Sequence, residues 1–308
     1  SKDLTLLKKL VRLQYLILMH LVILMWGFTG ILGKLILLDS VVIVWFRVII
    51  AFIALGLYML FAKTSFKVSS KKHLVYIAIV GVFVGVHWLT FYKSIQLSTA
   101  SLGILCLSTT TLHVSWLEPL VMKKRFSWLE FILSIIVVLG IYITTDNFSE
   151  KEYTALIYGL VSALFAALFA VFNTKLAEKD SSSVISLYEM LSASIAITIF
   201  LFIQGNLSSD LFVMSYQDFY LLLFLGVACT SFAFLATITV MRVLGTFTVS
   251  LSINLEPIYT LIFAIVLLNE NALLSTRFYL GALIIILTVL ANGVIKAALQ
   301  RKKGKRIS

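Results

Sequence analysis

Residues 250–270 read SLSINLEPIYTLIFAIVLLNE, a membrane-length apolar run interrupted near its middle by a carboxylate, Glu256, and then Pro257. Lone acids persist in such runs where they face a protein interior or a water-filled path. Glu256 is therefore the first functional candidate, either as a substrate or proton site or as a structural partner for backbone freed beside the proline. Pro257 removes one backbone donor and is expected to open the helix a turn earlier, around Ile253, leaving a carbonyl free to face a cavity. The chain has only two prolines, so this one is not background.

Working outward, the 308 residues are 61% hydrophobic with a mean hydropathy of +1.06, well above the apolar share of a soluble domain. The apolar runs are about 20 residues long and separated by short polar joints, which suits transmembrane helices rather than an outer-membrane barrel. The opening SKDLTLLKKL is polar and basic and leads into a full span without a small-residue cleavage site, so no cleavable signal peptide is expected. Ten helices are expected, over 14–37, 40–62, 74–96, 100–121, 127–145, 154–176, 184–204, 217–241, 246–268 and 276–298.

The net charge of +11 raises the question of nucleic acid, and its distribution answers it. Of the 25 Lys and Arg, 20 fall at the N-terminus, on alternate joints such as Lys63 to Lys72 and Lys123 to Arg125, and at the C-terminus from Lys296 onward. The opposite joints carry Asp39, Asp146, Glu150, Glu152, Asp210 and Glu270. This positive-inside bias supports an even helix count and cytoplasmic termini. Cys106 and Cys229 both sit inside apolar runs and read as small hydrophobes.

The joint DNFSEKEY (146–153) divides the chain nearly in half, giving a first repeat at 1–146, a second at 147–298 and a basic cytoplasmic tail at 299–308. GKLILLDSVVIVWFR (33–47) and TKLAEKDSSSVISLYE (174–189) echo one another: a Lys-Leu, an Asp-Ser, then a charged residue early in the second helix of each half. Five helices per half is an odd number, so the second copy enters the membrane the other way up. The expected fold is all-α integral membrane, with ten transmembrane helices as two inverted five-helix repeats. LEP occurs at 117–119 and again at 255–257, but the two lie at different depths from their joints. The first-half counterpart of Glu256 and Pro257 falls instead near Thr109 to Thr111.

On MWGFTGILGK (25–34), VVIVWFRVIIAFIAL (41–55), FYKSIQLSTASLG (91–103) and above all NLEPIYTLIFAIVLLNENALLSTRFYLGALIIIL (254–287), the chain resembles the drug/metabolite transporter superfamily, specifically its EamA-type ten-helix branch. The resemblance implies two packed five-helix repeats around a central path formed by the first, third, fourth, sixth, eighth and ninth helices. It also implies alternating-access transport of a small organic solute. The chain departs from the family pattern where STTT replaces a proline common in the fourth helix, and where Lys93 occupies a position usually small and apolar.

With those helices around the path, Trp26, His87, Trp88, Thr111, Phe165, Thr230 and Glu256 form one mid-membrane belt. Ser252, Glu256, Tyr259 and Thr260 share a face of the ninth helix with Asn254 beside them, and His87 with Phe91 and Trp88 with Tyr92 make i, i+4 pairs on the third. Aromatic faces around one negative charge suit an ammonium group. The substrate-binding candidates are Glu256, Trp26, His87, Trp88, Phe91, Tyr92, Thr111, Asn254 and Tyr259. Coupling or gating falls to Glu256, Arg47 and Glu189. Arg47 has three readings, pairing with an acid, binding a substrate carboxylate or snorkelling, while a gate or packing ion pair is favoured for Glu189. Lys34 and Lys93 read as snorkelling residues, His20 and His113 as packing histidines, and Gly81 with Gly85 as a close helix contact.

The stretch at Gly33 and Lys34 lacks the first glycine and the hydroxyl of a phosphate loop, and no GxSxG, HExxH or CxxC occurs. The chain is not expected to be an enzyme, to hold a metal or cofactor, or to bind nucleic acid. Its expected partners are a small-molecule substrate and membrane lipids, with a proton or counter-solute for coupling and the monomer as working unit. The leading expectation is an inner-membrane carrier of bacterial type that exports an amino acid or related amine. Uptake of a quaternary amine and a non-transporting sensor or assembly factor are the alternatives.

Overall fold

The computed structural model describes residues 2–244, 249 and 252–307, and among them only helices and joints occur. The helices are α1 (Lys2–Leu35), α2 (Ser40–Phe61), α3 (Lys71–Leu97), α4 (Ala100–Leu107), α5 (Thr110–Met122), α6 (Trp128–Thr144), α7 (Glu150–Leu176) and α8 (Ser182–Ile203). They are followed by α9 (Tyr216–Leu223), a π-helical segment (Phe224–Phe232) continuous with α10 (Ala233–Leu244), then α11 (Glu256–Leu268) and α12 (Thr276–Ile307). Eight helices or helix runs are long and apolar enough to cross a membrane, and α6 and α11 are shorter apolar helices. The beginning of the expected ninth helix, 246–248, lies outside the described residues, as do 250–251.

Two expected helices are interrupted. The expected helix at 100–121 divides into α4 and α5 at Ser108 and Thr109, and the expected helix at 246–268 breaks at Asn254 and Leu255, just before α11. Pro257 thus lies in the first turn of a new helix. Its fixed φ suits that position, and a missing N–H costs nothing there. In the first half hydroxyl groups accompany the break: Thr109 Oγ1 donates to the Cys106 carbonyl at 2.7 Å and Thr111 Oγ1 to the Ser108 carbonyl at 3.1 Å. Polar backbone exposed by a break in apolar surroundings must find such partners.

The halves match in detail. α2 and α8 each have 22 residues and are followed, one residue past the cap, by a left-handed position, Lys63 (φ 53°) in one and Gly205 (φ 72°) in the other. α5 and α11 each have 13 residues and end on left-handed Lys123 and Asn269. α2 and α8 pack antiparallel. Trp45 Nε1 donates to Thr198 Oγ1 at 2.9 Å, and further along a Cβ on Gly56 would lie 3.8 Å from Leu187 Cδ1. In these registers Arg47 and Glu189 are both the eighth residue of their helices, and Thr110 corresponds to Glu256 as first residue. Pro119 and Pro257 are not equivalent, being tenth and second in theirs.

α3 packs on α7 and α8. A Cβ on Gly81 would fall 2.7 Å from the Glu189 carbonyl oxygen, so only glycine permits this approach. At the basic end Asp180, between α7 and α8, accepts from the Ser69 N–H at 2.8 Å and the Ser69 hydroxyl at 3.0 Å and pairs with His73. At the other, acidic end Asp218 on α9 accepts from the Leu37 N–H at 3.1 Å. His73 and Asp218 are equivalent, each being third after a serine N-cap. One clasp therefore sits at each end of the molecule.

Burial acts against the charged form of Asp180, but the Ser69 N–H, the His73 ring and the Ser69 hydroxyl outweigh it and hold the carboxyl below its usual value. The folded value lies below the unfolded one, near 3.9. The clasp's contribution is thus complete above that range and is lost as pH falls through the folded value. Asp180→Asn is expected to lower the thermal midpoint in detergent at pH 7 and to flatten its fall between about pH 5 and pH 3 relative to the parent.

Candidate functional site

A central cavity of about 620 Å³ opens among α1, α2, α3, the α4–α5 break, α7, α8, the π segment and the start of α11. Of the residues singled out in the sequence, Trp26, Arg47, His87, Trp88, Phe91, Thr111, Glu189, Thr230, Asn254 and Glu256 all line it. Tyr92 and Tyr259 do not. Tyr92 is fully buried behind Arg47, and Tyr259 turns its hydroxyl toward His20 Nδ1 at 3.4 Å. Phe165 also lies off the lining, edge-on to Phe83 at 5.8 Å between centroids.

Glu256 is the first residue of α11, placed there by the break at Asn254 and Leu255. Its backbone carbonyl is used, accepting from Thr260 Oγ1, whose hydroxyl also approaches the Gly27 carbonyl. A Cβ on Gly27 would sit 3.1 Å from Tyr259 Cβ, so α1 and α11 are in close contact. Its carboxylate has no ion pair and no hydrogen bond among the described residues and faces the cavity. Among the described residues, the structural reading, in which the acid bonds freed backbone beside Pro257, finds no contact to support it.

Arg47 is 5% exposed and held on three sides. Its Nε donates to Thr230 Oγ1 at 3.0 Å, its Nη1 donates to the Tyr92 hydroxyl at 3.2 Å, and its guanidinium lies 3.8 Å from the centre of the Trp88 ring. Tyr92 in turn donates to the Thr29 carbonyl at 3.2 Å. The guanidinium is thus anchored by neutral groups and an aromatic face, with no carboxylate within ion-pair distance among the described residues. It does not snorkel.

The π segment makes this arrangement. α2 presses on it so closely that a Cβ on Gly226 would meet Ile50 Cγ2 at 2.5 Å. The wider helix turns Thr230 toward Arg47 while its hydroxyl donates five residues back, to the Leu225 carbonyl at 2.7 Å. Such π insertions recur at functional sites, and this one was not legible in the sequence.

His87 is fixed by α7: its Nδ1 stands 3.0 Å from the Ser162 carbonyl and 2.9 Å from the Ser162 hydroxyl, which is also 2.9 Å from the His87 carbonyl. Its ring stacks on Phe91 at 6.1 Å and 14°. Asn173 on α7 lines the cavity and was not singled out. An amide near the end of an otherwise apolar helix was the available signal. Of the remaining candidates, Lys93 approaches Asp39 at 4.0 Å and His113 packs against Trp116.

The lining runs along much of the bundle: toward the acidic end it includes Ile104, one turn into α4, and Phe91, less than two turns from the end of α3. Asn173, Ser186 and Glu189 carry it to within two turns of the basic joint between α7 and α8. At the acidic end a buried acid caps a helix. Glu270, 2% exposed, accepts from the Ala100 N–H (2.9 Å), the Ser101 N–H (3.0 Å) and the Ser101 hydroxyl (2.7 Å), capping α4. Gln96 bridges the Leu38 carbonyl and the Ser40 N–H nearby. A carboxylate on a helix N-terminus is a favourable, charge-assisted arrangement.

Two helical repeats around a cavity that holds isolated charges define a multi-pass membrane transporter. The EamA-like transporter family matches residues 13–146 and 153–293, and the chain belongs to that family, a branch of the drug/metabolite transporter superfamily. Among solved structures, one described only as a crystal structure of a protein superposes with a TM-score of 0.64 over 93% of this chain and 98% of its own, at 12% identity. That likeness concerns the fold alone. No curated protein matches the sequence.

Thr230→Val removes the Nε acceptor of a buried guanidinium and is expected to cost about 1–3 kcal/mol. Thr230→Ser is expected to restore most of it. Thermal unfolding of the two variants in detergent checks both.

Proposed function

We propose that the chain is an alternating-access exporter of an amino acid or related amine in a bacterial inner membrane. It spans the membrane ten times with both termini cytoplasmic, its halves 1–146 and 147–298 oppositely oriented and its tail at 299–308, and it works as a monomer coupled to a proton or a counter-solute. One observation carries the reading. A single cavity receives a carboxylate, Glu256, and a guanidinium, Arg47, neither of which has an oppositely charged group within ion-pair distance among the described residues.

A zwitterion completes both. Its ammonium meets Glu256 beside the faces of Trp26, Trp88 and Phe91, and its carboxylate meets Arg47. Buried charges are costly unless paired, so the solute is what makes the pair affordable. The positive-inside distribution assigns the basic end to the cytoplasm. Asn173, Ser186 and Glu189 then carry the lining toward the cytoplasm, the side from which an exporter loads, and the Glu270 cap lies at the outer end. A quaternary amine with no carboxylate satisfies Glu256 and leaves Arg47 idle, which makes uptake of such a cation the weaker reading.

Counterflow in proteoliposomes, with labelled amino acids set against choline, tests this. Amino-acid exchange by the parent is expected to fall at least about tenfold in Glu256→Gln, the scale of one lost charged contact. Full rate and unchanged pH dependence in that variant would remove Glu256 from both substrate binding and coupling.

A further inference from the structure

The cavity holds a second carboxylate that the zwitterion reading does not use. Glu189, on the second turn of α8, is 3% exposed and lines the cavity beside Asn173 of α7 and Ser186. Its Oε2 accepts from Asn173 Nδ2 at a long 3.4 Å. Its Oε1 and the Asn173 Oδ1 have no hydrogen-bond partner. Packing glutamates have their oxygens paired. Here two bare acceptors and a negative charge share one donor between them, and both side chains border the path.

The backbone at Glu189 is held in place. α3 lies against it at Gly81, whose Cβ would be 2.9 Å from Glu189 Cα, and Ser192 one turn on donates to the Ala78 carbonyl. The two side chains form an acceptor cup on that backbone, and an ammonium, with three N–H donors and one positive charge, is the group that completes it.

Register then relates Glu189 to Arg47. In the antiparallel α2–α8 pair, residue 45 meets 198 and residue 56 meets 187. Glu189 is therefore level with residue 54, seven residues from Arg47, or about 10 Å along the axis. A four-carbon arm between a carboxylate at one end and an ammonium at the other covers that span with a hydrogen bond at each end. Arg47, Glu256 and Glu189 together carry one positive and two negative charges, the complement of a solute with one carboxylate and two ammonium groups.

We propose that the solute is a dibasic amino acid of the lysine or ornithine type: α-carboxylate on Arg47, α-ammonium on Glu256, and side-chain ammonium on Glu189 and Asn173. The assignment rests on the carrier reading above and narrows it. A neutral amino acid of equal length leaves Glu189 buried without a counter-charge, so the wrong solute is rejected by what it leaves unpaired as much as the right one is held.

The test is counterflow of labelled L-lysine against labelled L-norleucine, which matches the arm but lacks its ammonium, in proteoliposomes of the full chain. The parent is expected to favour lysine by at least about tenfold in kcat/KM, and Glu189→Gln to lower that lysine-to-norleucine ratio about tenfold or more. Asn173→Leu, which leaves Glu189 itself in place, is expected to lower the ratio in the same direction, so the test survives if one variant fails to fold. Equal handling of the two solutes by the parent overturns the proposal, as does a ratio unchanged in both variants. Exchange of neutral amino acids or amines without lysine overturns the dibasic assignment and leaves the carrier reading standing, whereas no exchange of any solute brings down both.

Discussion

An apolar bundle can interrupt a helix only where the freed backbone is covered by protein or lines a cavity, and two matching interruptions organise this molecule. One lies at Ser108 and Thr109, the other at Asn254 and Leu255, each opening a 13-residue helix that ends on a left-handed residue. Both breaks contribute to the same cavity wall. The backbone solution differs between them. Hydroxyls of Thr109 and Thr111 bond the loosened carbonyls in one half, while Pro257 begins the new helix in the other. Equivalent geometry from unlike residues indicates that the break itself, rather than a particular residue, is what the fold keeps.

On this symmetric frame the chemistry is unsymmetric. Arg47 and Glu189 hold equivalent positions with opposite charge, and the counterpart of Glu256 is the neutral Thr110. Antiparallel packing sets Arg47 and Glu189 at different depths, so the cavity is graded from positive to negative along its length. Each group is shaped by its neighbours. Arg47 is immobilised by Thr230, Tyr92 and Trp88, and its anchoring depends on the π segment that turns Thr230 inward. Restraining a long cationic side chain before a ligand arrives reduces the entropy lost on binding.

Much of this was legible in the chain, and the limits are physical. The spacing of apolar runs reports on burial in lipid, which acts on every residue alike, so the all-helical membrane character and the two-part organisation could be read directly. Glu256 was conspicuous because an acid in a long apolar run is expensive. Register placed the counterpart of Glu256 near Thr109 to Thr111, since counting from a joint measures depth, but the break between α4 and α5 was not read from the continuous run at 100–121. Side-chain direction could not be counted in the same way. Tyr92 and Tyr259 share helix faces with lining residues, yet Tyr92 is drawn behind Arg47 and Tyr259 toward His20. The π segment was invisible because no residue type in FLGVACTSF marks it, and its contacts with α2, such as the close approach of Ile50 to Gly226, are tertiary. Asn173 became meaningful only when Glu189 was placed beside it.

The two ends of the bundle are not bonded alike, and the difference has a magnitude. The clasps at Asp180 and Asp218 are present together, at opposite ends, so they join elements that stay together rather than elements that part in turn. The Glu270 cap is different. The residue in its register in the first half, Lys124, can only donate, and it bonds Glu118 on its own helix at 2.8 Å instead. A carboxylate taking three hydrogen bonds contributes a net few kcal/mol by ordinary charge-assisted values. That is enough to make one conformation dominant and small enough for a differentially binding ligand to reverse. In the proposed cycle a solute that joins Arg47 to the two carboxylates draws the halves together at its own depth, and the free energy of that contact is available to release the cap beyond it.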